Sequence, residues 1–388
     1  GPAATDAALT VAAALTSRNP FLAPMECREE AAAAKKRFAE KMVTGCVGVS
    51  DHLAVLAAYQ EWDKMPWLGS MRYDFCRSNY LSTKTLQGMA DLKRGLLETL
   101  SDCGFVQKNL KAKEVGWFGR SRDHSDGVLL VLAQGEPCEP CSPPLIAALL
   151  CAALFPQVAT ASQSCLPKKL KQGASTDGLP KPRLMVRDAE TGEPVKVKMH
   201  PGSVAWTEVL LSSPYLVYQD LVQSSSLYVR DVTPVPPLAL ALFSGSLAEG
   251  MVYPDGHAEL IVDGWIRLAI PTRARRPLLE TRRRLDALLA SWVGRPDSRG
   301  SGQHAAGAEL LRVIVQLLNI QEECAPGAGG DHAWNQARQV QVQKQNGSSA
   351  APTAGSKKKK KAAAPAASAA ELKALLKRSH KIAFGGSR

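Results

Sequence analysis

The chain has 388 residues, 45% of them apolar, and a formal net charge of +12, enough apolar material for two modest cores. The charge is unevenly placed: Lys344 to Arg388 holds eleven Lys/Arg and one acid, so the preceding residues are nearly neutral and any polyanion-binding face there must be local. No apolar run reaches the roughly 20 residues needed to span a bilayer. Ala7–Leu15 lacks the basic flank of a signal peptide, and nine scattered cysteines suit buried thiols in a reducing compartment better than a disulfide framework. An intracellular protein is expected, cytoplasmic or nuclear, with an organelle left open. The Gly1-Pro2 start is that expected of a processed fragment.

In chain order, Ala7–Thr16 reads as a helix stopped by Asn19-Pro20, and Glu29–Met42 as a second, Ala-rich helix. Ser50 and Asp51 offer an N-cap for a helix running to Trp62, with Leu53, Leu56 and Tyr59 on one face. Tyr73–Tyr80 is helical. Ser82-Thr83 caps a helix in which Leu86, Met89, Leu96, Leu97 and Leu100 recur at helical spacing until Gly104. Pro143–Phe155 forms a further helix. Residues 1–160 are therefore expected to be a helical domain, and the Ser/Gly/Pro/Lys-rich stretch 161–182 a linker or loop.

The period then changes. Val195-Lys196-Val197-Lys198-Met199 alternates strictly between apolar and basic residues, as a strand with one wet, basic face does. Tyr215–Gln219, Leu227–Val232, Leu238–Phe243 and Glu259–Ile270 are further strand candidates, and five short strands with Gly/Pro punctuation predict a small barrel of the oligonucleotide-binding (OB) type. A basic amphipathic helix, Pro277–Trp292, closes this unit, giving 183–294 as the second domain. Residues 295–388 read as a mostly disordered Lys/Ala-rich tail, with a helix candidate at Glu309–Glu323, loops at Gly327–Gly330 and Gln336–Gly355, the run Lys357–Lys361 and a short helix at Ala369–His380. The fold class expected is α+β: a helical domain, an OB-type barrel and a basic tail.

Four blocks, in order, resemble one family. Ala8-Leu9-Thr10-Val11-Ala12-Ala13-Ala14-Leu15 with Asn19-Pro20-Phe21 is the first; Ser50-Asp51-His52-Leu53 through Phe75-Cys76-Arg77-Ser78-Asn79-Tyr80-Leu81-Ser82-Thr83-Lys84-Thr85-Leu86 is the second. Leu150-Cys151-Ala152-Ala153-Leu154-Phe155-Pro156-Gln157-Val158-Ala159 is the third. The fourth runs from Val197-Lys198-Met199-His200-Pro201-Gly202-Ser203 through Ser213-Pro214-Tyr215 and Tyr228-Val229-Arg230-Asp231-Val232-Thr233 to Asp263-Gly264-Trp265. Together they are similar to the helicase-associated (ratchet) and OB-fold regions of DEAH/RHA-type ATP-dependent RNA helicases. The sequence carries neither a Gly-x-x-x-x-Gly-Lys-Ser/Thr phosphate loop nor a DEAH tetrapeptide, so ATP hydrolysis by this chain alone is not expected. ATP and Mg²⁺ belong to the full-length family, and this chain is expected to hold no cofactor, metal or catalytic residue.

The resemblance implies single-stranded RNA as partner, motor (RecA-like) domains in cis, and a protein cofactor docking on the barrel; no membrane is implied. It makes His200 and Ser203 RNA contacts, beside Lys196 and Lys198 on the wet face of their strand, with Gly202 where relatives carry a small polar residue. Arg230, Asp231 and Thr233 form a second part of that surface, or an internal Arg–Asp pair. Ser224–Ser226 stands where relatives often carry Lys-Thr, which removes one cation. In the helical domain, Arg77, Asn79 and Lys84 are candidate backbone contacts, with Asn79 alternatively tying the turn before Ser82. The Cys138-Glu139-Pro140-Cys141 pair lacks a second pair at finger spacing, and a Cys76/His52 hydrolase has the residue types without supporting context. Arg273, Arg275, Arg276, Arg282, Arg283 and Arg284 either extend the RNA path or form a solvated helix face. A protein-interaction module without a motor, acting in trans on a helicase or ribonucleoprotein, is the other function considered.

Overall fold

The computed structural model describes residues 1–323 apart from 45–46, 67–69, 125, 135, 163–180, 209–210 and 295–302. The tail beyond 323 and most of the expected linker therefore lie outside the described residues. The first part is helical: α1 (Pro2–Thr16), α2 (Arg28–Glu40), α3 (Asp51–Asp63), α4 (Met71–Ser78), α5 (Thr83–Asp102), α6 (Ala112–Arg120), α7 (Val128–Leu132) and α8 (Pro143–Leu154).

Helix α3 is the centre of this part. Ser50 caps it by accepting from the Leu53 amide at 3.1 Å. Its burial is not confined to the stripe of Leu53, Leu56 and Tyr59: Ala54, Ala57 and Ala58 are buried too, because small side chains let neighbouring helices approach from the remaining sides. Tyr59 and Trp62, both fully buried, pack ring to ring at 5.6 Å. Helix α5 behaves as its periodicity predicts, with Ser82 capping the Thr85 amide and Leu86, Met89 and Leu97 buried.

Lys93 on α5 is also buried. It sits 2.6 Å from Asp6 of α1 and 2.8 Å from Asp126, which also accepts from the Tyr59 hydroxyl at 2.6 Å. Burial pulls the ammonium pKa down, but the two carboxylates more than offset this and hold it well above its ordinary range. One cation thus ties the first helix to the α6–α7 turn through the middle of the domain.

The barrel is closed, with strand order β1-β2-β3-β5-β4, and its strands are β1 (Val158–Ser162), β2 (Arg183–Arg187), β3 (Pro194–Met199), β4 (Tyr215–Gln223) and β5 (Leu227–Pro234). Three sequence expectations are corrected here. The cylinder begins at Val158, inside the segment expected to be helical: β1 pairs with β2 and β4, and its five-residue length and two alanines had hidden it. Leu238–Phe243 is a helix, α9 (Pro237–Phe243), started by a proline in its first turn and buried within the core. Glu259–Ile270 is no single barrel strand but a hairpin, β7 (His257–Val262) and β8 (Ile266–Pro271), turning at Asp263-Gly264, whose φ angles are +49° and +78°. With β6 (Leu247–Val252) it makes a separate three-stranded sheet.

Helix α10 (Thr272–Gly294) covers that sheet, and α11 (Gln303–Glu323) packs on α8. The arginines of α10 are largely engaged: Arg282 donates to the carbonyls of Ala241 and Ser244 at the end of α9, Arg275 pairs with Glu249, and Arg283 and Arg284 pair with Glu280. Among the described residues, no helix is long and apolar enough to cross a membrane.

Replacing Lys93 with Met would leave Asp6 and Asp126 buried without their counter-charge. The expected loss is about 3–5 kcal/mol of unfolding free energy in denaturant titration; a loss under about 1 kcal/mol would show that the cluster is not structural.

Candidate nucleic-acid interface

The two halves meet at the N-terminus of α3. The Asp51 carboxylate, fully buried there, accepts from the Ser203 hydroxyl at 2.6 Å and from the amides of Val204 (3.0 Å) and Val232 (2.9 Å), and it pairs with Lys35 of α2 at 2.6 Å. Burial alone would raise its pKa, but Lys35 and the donors together hold it below the usual carboxylate value of 3.8. Beside it, Thr233 lies 2.5 Å from Ser50 Oγ and 2.8 Å from His52 Nδ1. Burial lowers the His52 pKa from 6.5 to about 4, so the imidazole is neutral near neutral pH.

This seam fixes where the candidate contacts stand. Lys196 and Lys198 are exposed on β3, and Lys198 Nζ reaches Ser226 Oγ at 3.0 Å. His200 follows on the same strand's end. Its Nδ1 accepts from the Gly202 amide at 3.0 Å, its ring meets Tyr228 edge-on at 6.1 Å, and its backbone N–H donates to Val229. A Cβ at position 202 would lie 3.2 Å from that Nδ1, so a side chain there would crowd the imidazole. Burial, and then the nearby Arg230 charge, lower the His200 pKa from 6.5. Lys196, Lys198, His200 and Arg230 thus gather along β3 and β5.

Ser203 and Thr233 do not belong to that surface. Both are buried, and their hydroxyls are held by Asp51 and by the Ser50–His52 pair, so they join the halves instead of facing outward. Asp231 is tied inward as well: its backbone takes a φ of +48°, and its carboxylate accepts from Asn19 Nδ2 at 3.3 Å and lies 3.9 Å from Lys35. Burial and the charge of Asp51 raise its pKa. No Arg230–Asp231 ion pair forms among the described residues; Arg230 is half-buried and instead stands across from Asp220 in the β4–β5 register.

In the helical part, Arg77 and Lys84 are exposed, while the Asn79 amide donates to the Phe75 carbonyl at 2.9 Å and ties off α4. Residues 19–22 connect the two groups. Asn19 reaches Asp231 of the barrel, the Pro20 carbonyl accepts from the Ser82 amide, and Phe21 bridges to Leu81. The start of α5, with Lys84, is therefore one short extended segment away from the barrel face.

A family model for the oligonucleotide/oligosaccharide-binding (OB)-fold matches residues 146–247. The chain is 35% identical over 320 residues to DHX57 of Mus musculus, named as an ATP-dependent RNA helicase, covering 81% of this chain and 22% of that protein. It is 32% identical over 309 residues to the DExH-box ATP-dependent RNA helicase DExH1 of Arabidopsis thaliana (79% and 26%) and 28% identical over 327 residues to the ATP-dependent DNA/RNA helicase DHX36 of Homo sapiens (83% and 28%). Over about four fifths of its length the chain is thus similar to part of these helicases, and its barrel falls within the OB-fold match. It spans between a fifth and a third of the length of these curated relatives.

In the helical part, Cys76 is buried in the core, and His52 hydrogen-bonds Thr233. Cys138 and Cys141 are free thiols. The sequence reading missed Lys35, Asp51 and Asn19 as partners of the barrel, since their contacts span 152 to 212 residues of chain. A legible signal was the acid directly after an N-cap serine: such a carboxylate at a helix start attracts donors.

His52 gives the seam a pH dependence of known sign. It is neutral when folded down to about pH 4, whereas an unfolded imidazole takes a proton near 6.5. The unfolded chain therefore binds more protons in this window, and stability falls as pH drops from 6.5 towards 4, by about 3 kcal/mol from this residue. Thermal melts of wild type and His52→Gln across that range should converge as the pH falls; parallel curves would exclude His52 as a contributor.

Proposed function

We propose that this region binds single-stranded RNA along the β3–β5 face of the barrel, guiding the strand for a DEAH/RHA-type motor. The observation that carries the reading is the cluster of Lys196, Lys198, His200 and Arg230 on one face of a closed OB barrel, in a chain whose remaining body is nearly neutral. Cations aligned on a strand pair meet successive phosphates, and the exposed edge of an imidazole donates to phosphate or a 2′-hydroxyl. Lys84 and Arg77 extend the path onto the helices. The relatives' names, ATP-dependent RNA helicase and DNA/RNA helicase, support nucleic acid as the ligand. The motor domains in cis and a protein cofactor on the barrel are further partners in this reading. The chain supplies positioning and charge and performs no hydrolysis itself.

Fluorescence anisotropy with a labelled single-stranded RNA tests this on the full chain. Lys198→Glu and Arg230→Glu should each weaken binding by about tenfold at low salt and flatten the salt dependence. Replacing Lys357–Lys361 with Gln should lower non-specific affinity while leaving the effect of both variants in place. If the Gln variant alone abolished binding, only the tail would bind RNA and the barrel reading would fail.

A further inference from the structure

A cleft of about 310 Å³ opens between α1 and the barrel, beside the face just described. One wall is apolar, from Val11 and Ala14 of α1 and Val55 of α3; the opposite wall is polar, from Gln219 and Asp220 of β4 and from Arg230. His52 lines it too. One of its polar groups, His52 Nε2, is buried with no hydrogen-bond partner among the described residues. Arg18 is exposed and Arg230 half-buried, the latter within electrostatic reach of His200 and Asp231.

The protonation of His52 follows from its neighbours. Ser50 Oγ accepts from the Leu53 amide and lies within hydrogen-bond distance of Thr233 Oγ1, which in turn lies within that distance of His52 Nδ1. If Ser50 donates to Thr233 and Thr233 to Nδ1, all these hydroxyl protons are satisfied, and the proton of the neutral ring sits on Nε2. The opposite order strands the Ser50 proton. A buried N–H donor without an acceptor is costly, by about 1–3 kcal/mol, and points to a ligand that supplies one.

The other groups restrict that ligand. Asp51 is neutralised by Lys35, so Asp220 and Asp231 nearly balance Arg18 and Arg230, and the cleft as a whole suits a neutral, flat, polar body more than an ion. The Gln219 amide donates to the Leu15 carbonyl at 2.9 Å, leaving its oxygen to accept from a ligand N–H. The apolar wall matches one face of a heterocyclic base, the buried donor and the nearby acceptors match its edge, and the two guanidinium groups match the other face and the phosphates on either side.

We propose that this cleft is a nucleobase subsite, seating one base of the single strand against His52 while its flanking phosphates meet Arg18 and Arg230. The subsite rests on the RNA-binding reading above and adds to it a place where the strand is gripped by a base. The chain would then distinguish RNA from a bare ribose-phosphate backbone, which the cations of β3 cannot do.

The test compares a labelled single-stranded RNA of mixed sequence with its abasic analogue of equal length, using the full chain and Ala14→Phe, which fills the cleft from α1 without changing charge. Wild type should bind the RNA about tenfold more tightly than the abasic strand. Ala14→Phe should remove that difference, so that RNA and abasic strand bind alike, with a melting curve confirming that the variant is folded. In wild type, the His52 imidazole resonances should shift with the RNA and not with the abasic strand, a readout that holds even if Ala14→Phe fails to fold. Equal affinity for the two strands with His52 unmoved would overturn the subsite and leave the RNA path intact. Binding of neither strand would remove both. Binding of a lysine-rich peptide that Ala14→Phe abolishes, with RNA affinity unaffected, would assign the cleft to a protein partner and overturn the proposal.

Discussion

A single buried carboxylate joins the two halves of this molecule. Asp51 stands at the first turn of the central helix, where the unpaired amides of a helix start already favour negative charge, and it takes donors from two separate stretches of the barrel. Without Lys35 at 2.6 Å, burying that charge would be strongly unfavourable. With it, the barrel is held against α2 and α3 by short, directional bonds, and apolar contact alone does not set the geometry. The Ser50–Thr233–His52 contacts beside it add a second, uncharged attachment.

That attachment decides which barrel face is free. Ser203 and Thr233 turn into the seam, while Lys196 and Lys198 stand exposed on β3 and Arg230 borders the cleft beside the seam. The extended segment Asn19–Leu22 runs from Asp231 to Leu81 and brings the start of α5 towards the same side. A path over the molecule therefore depends on buried polar contacts that never touch the ligand. The Lys93 cluster does a similar job inside the helical part by fixing α1, whose far end forms one wall of the cleft and leads into Arg18.

Much of this was legible in the sequence. Helical spacing and caps placed α3 and α5, and strict alternation placed β3 with its lysines outward. Four blocks in order pointed to the helicase-associated and OB-fold regions. Local patterns failed where tertiary context overrode them. Val158–Ser162 is short, two alanines dilute the strand preference of Val158 and Thr160, and its partners β2 and β4 come later in the chain. Leu238–Phe243 has the apolar run of a buried strand, but Pro236-Pro237 and burial on all sides made it a helix. The roles of Ser203 and Thr233 were misplaced because a hydroxyl looks alike at a surface and in a buried network; only Asp51 and His52, far away in sequence, decide which it is.

Native-state hydrogen exchange at the Val204 and Val232 amides, in wild type and in Asp51→Asn, tests the central claim most directly. Both amides donate to Asp51 from different parts of the barrel. If that carboxylate holds the halves together, both should exchange slowly in wild type, as slowly as the amides of α3, and both should lose protection together in the variant. Unchanged exchange at the two amides after the substitution would contradict the account, because the barrel would then keep its place without Asp51.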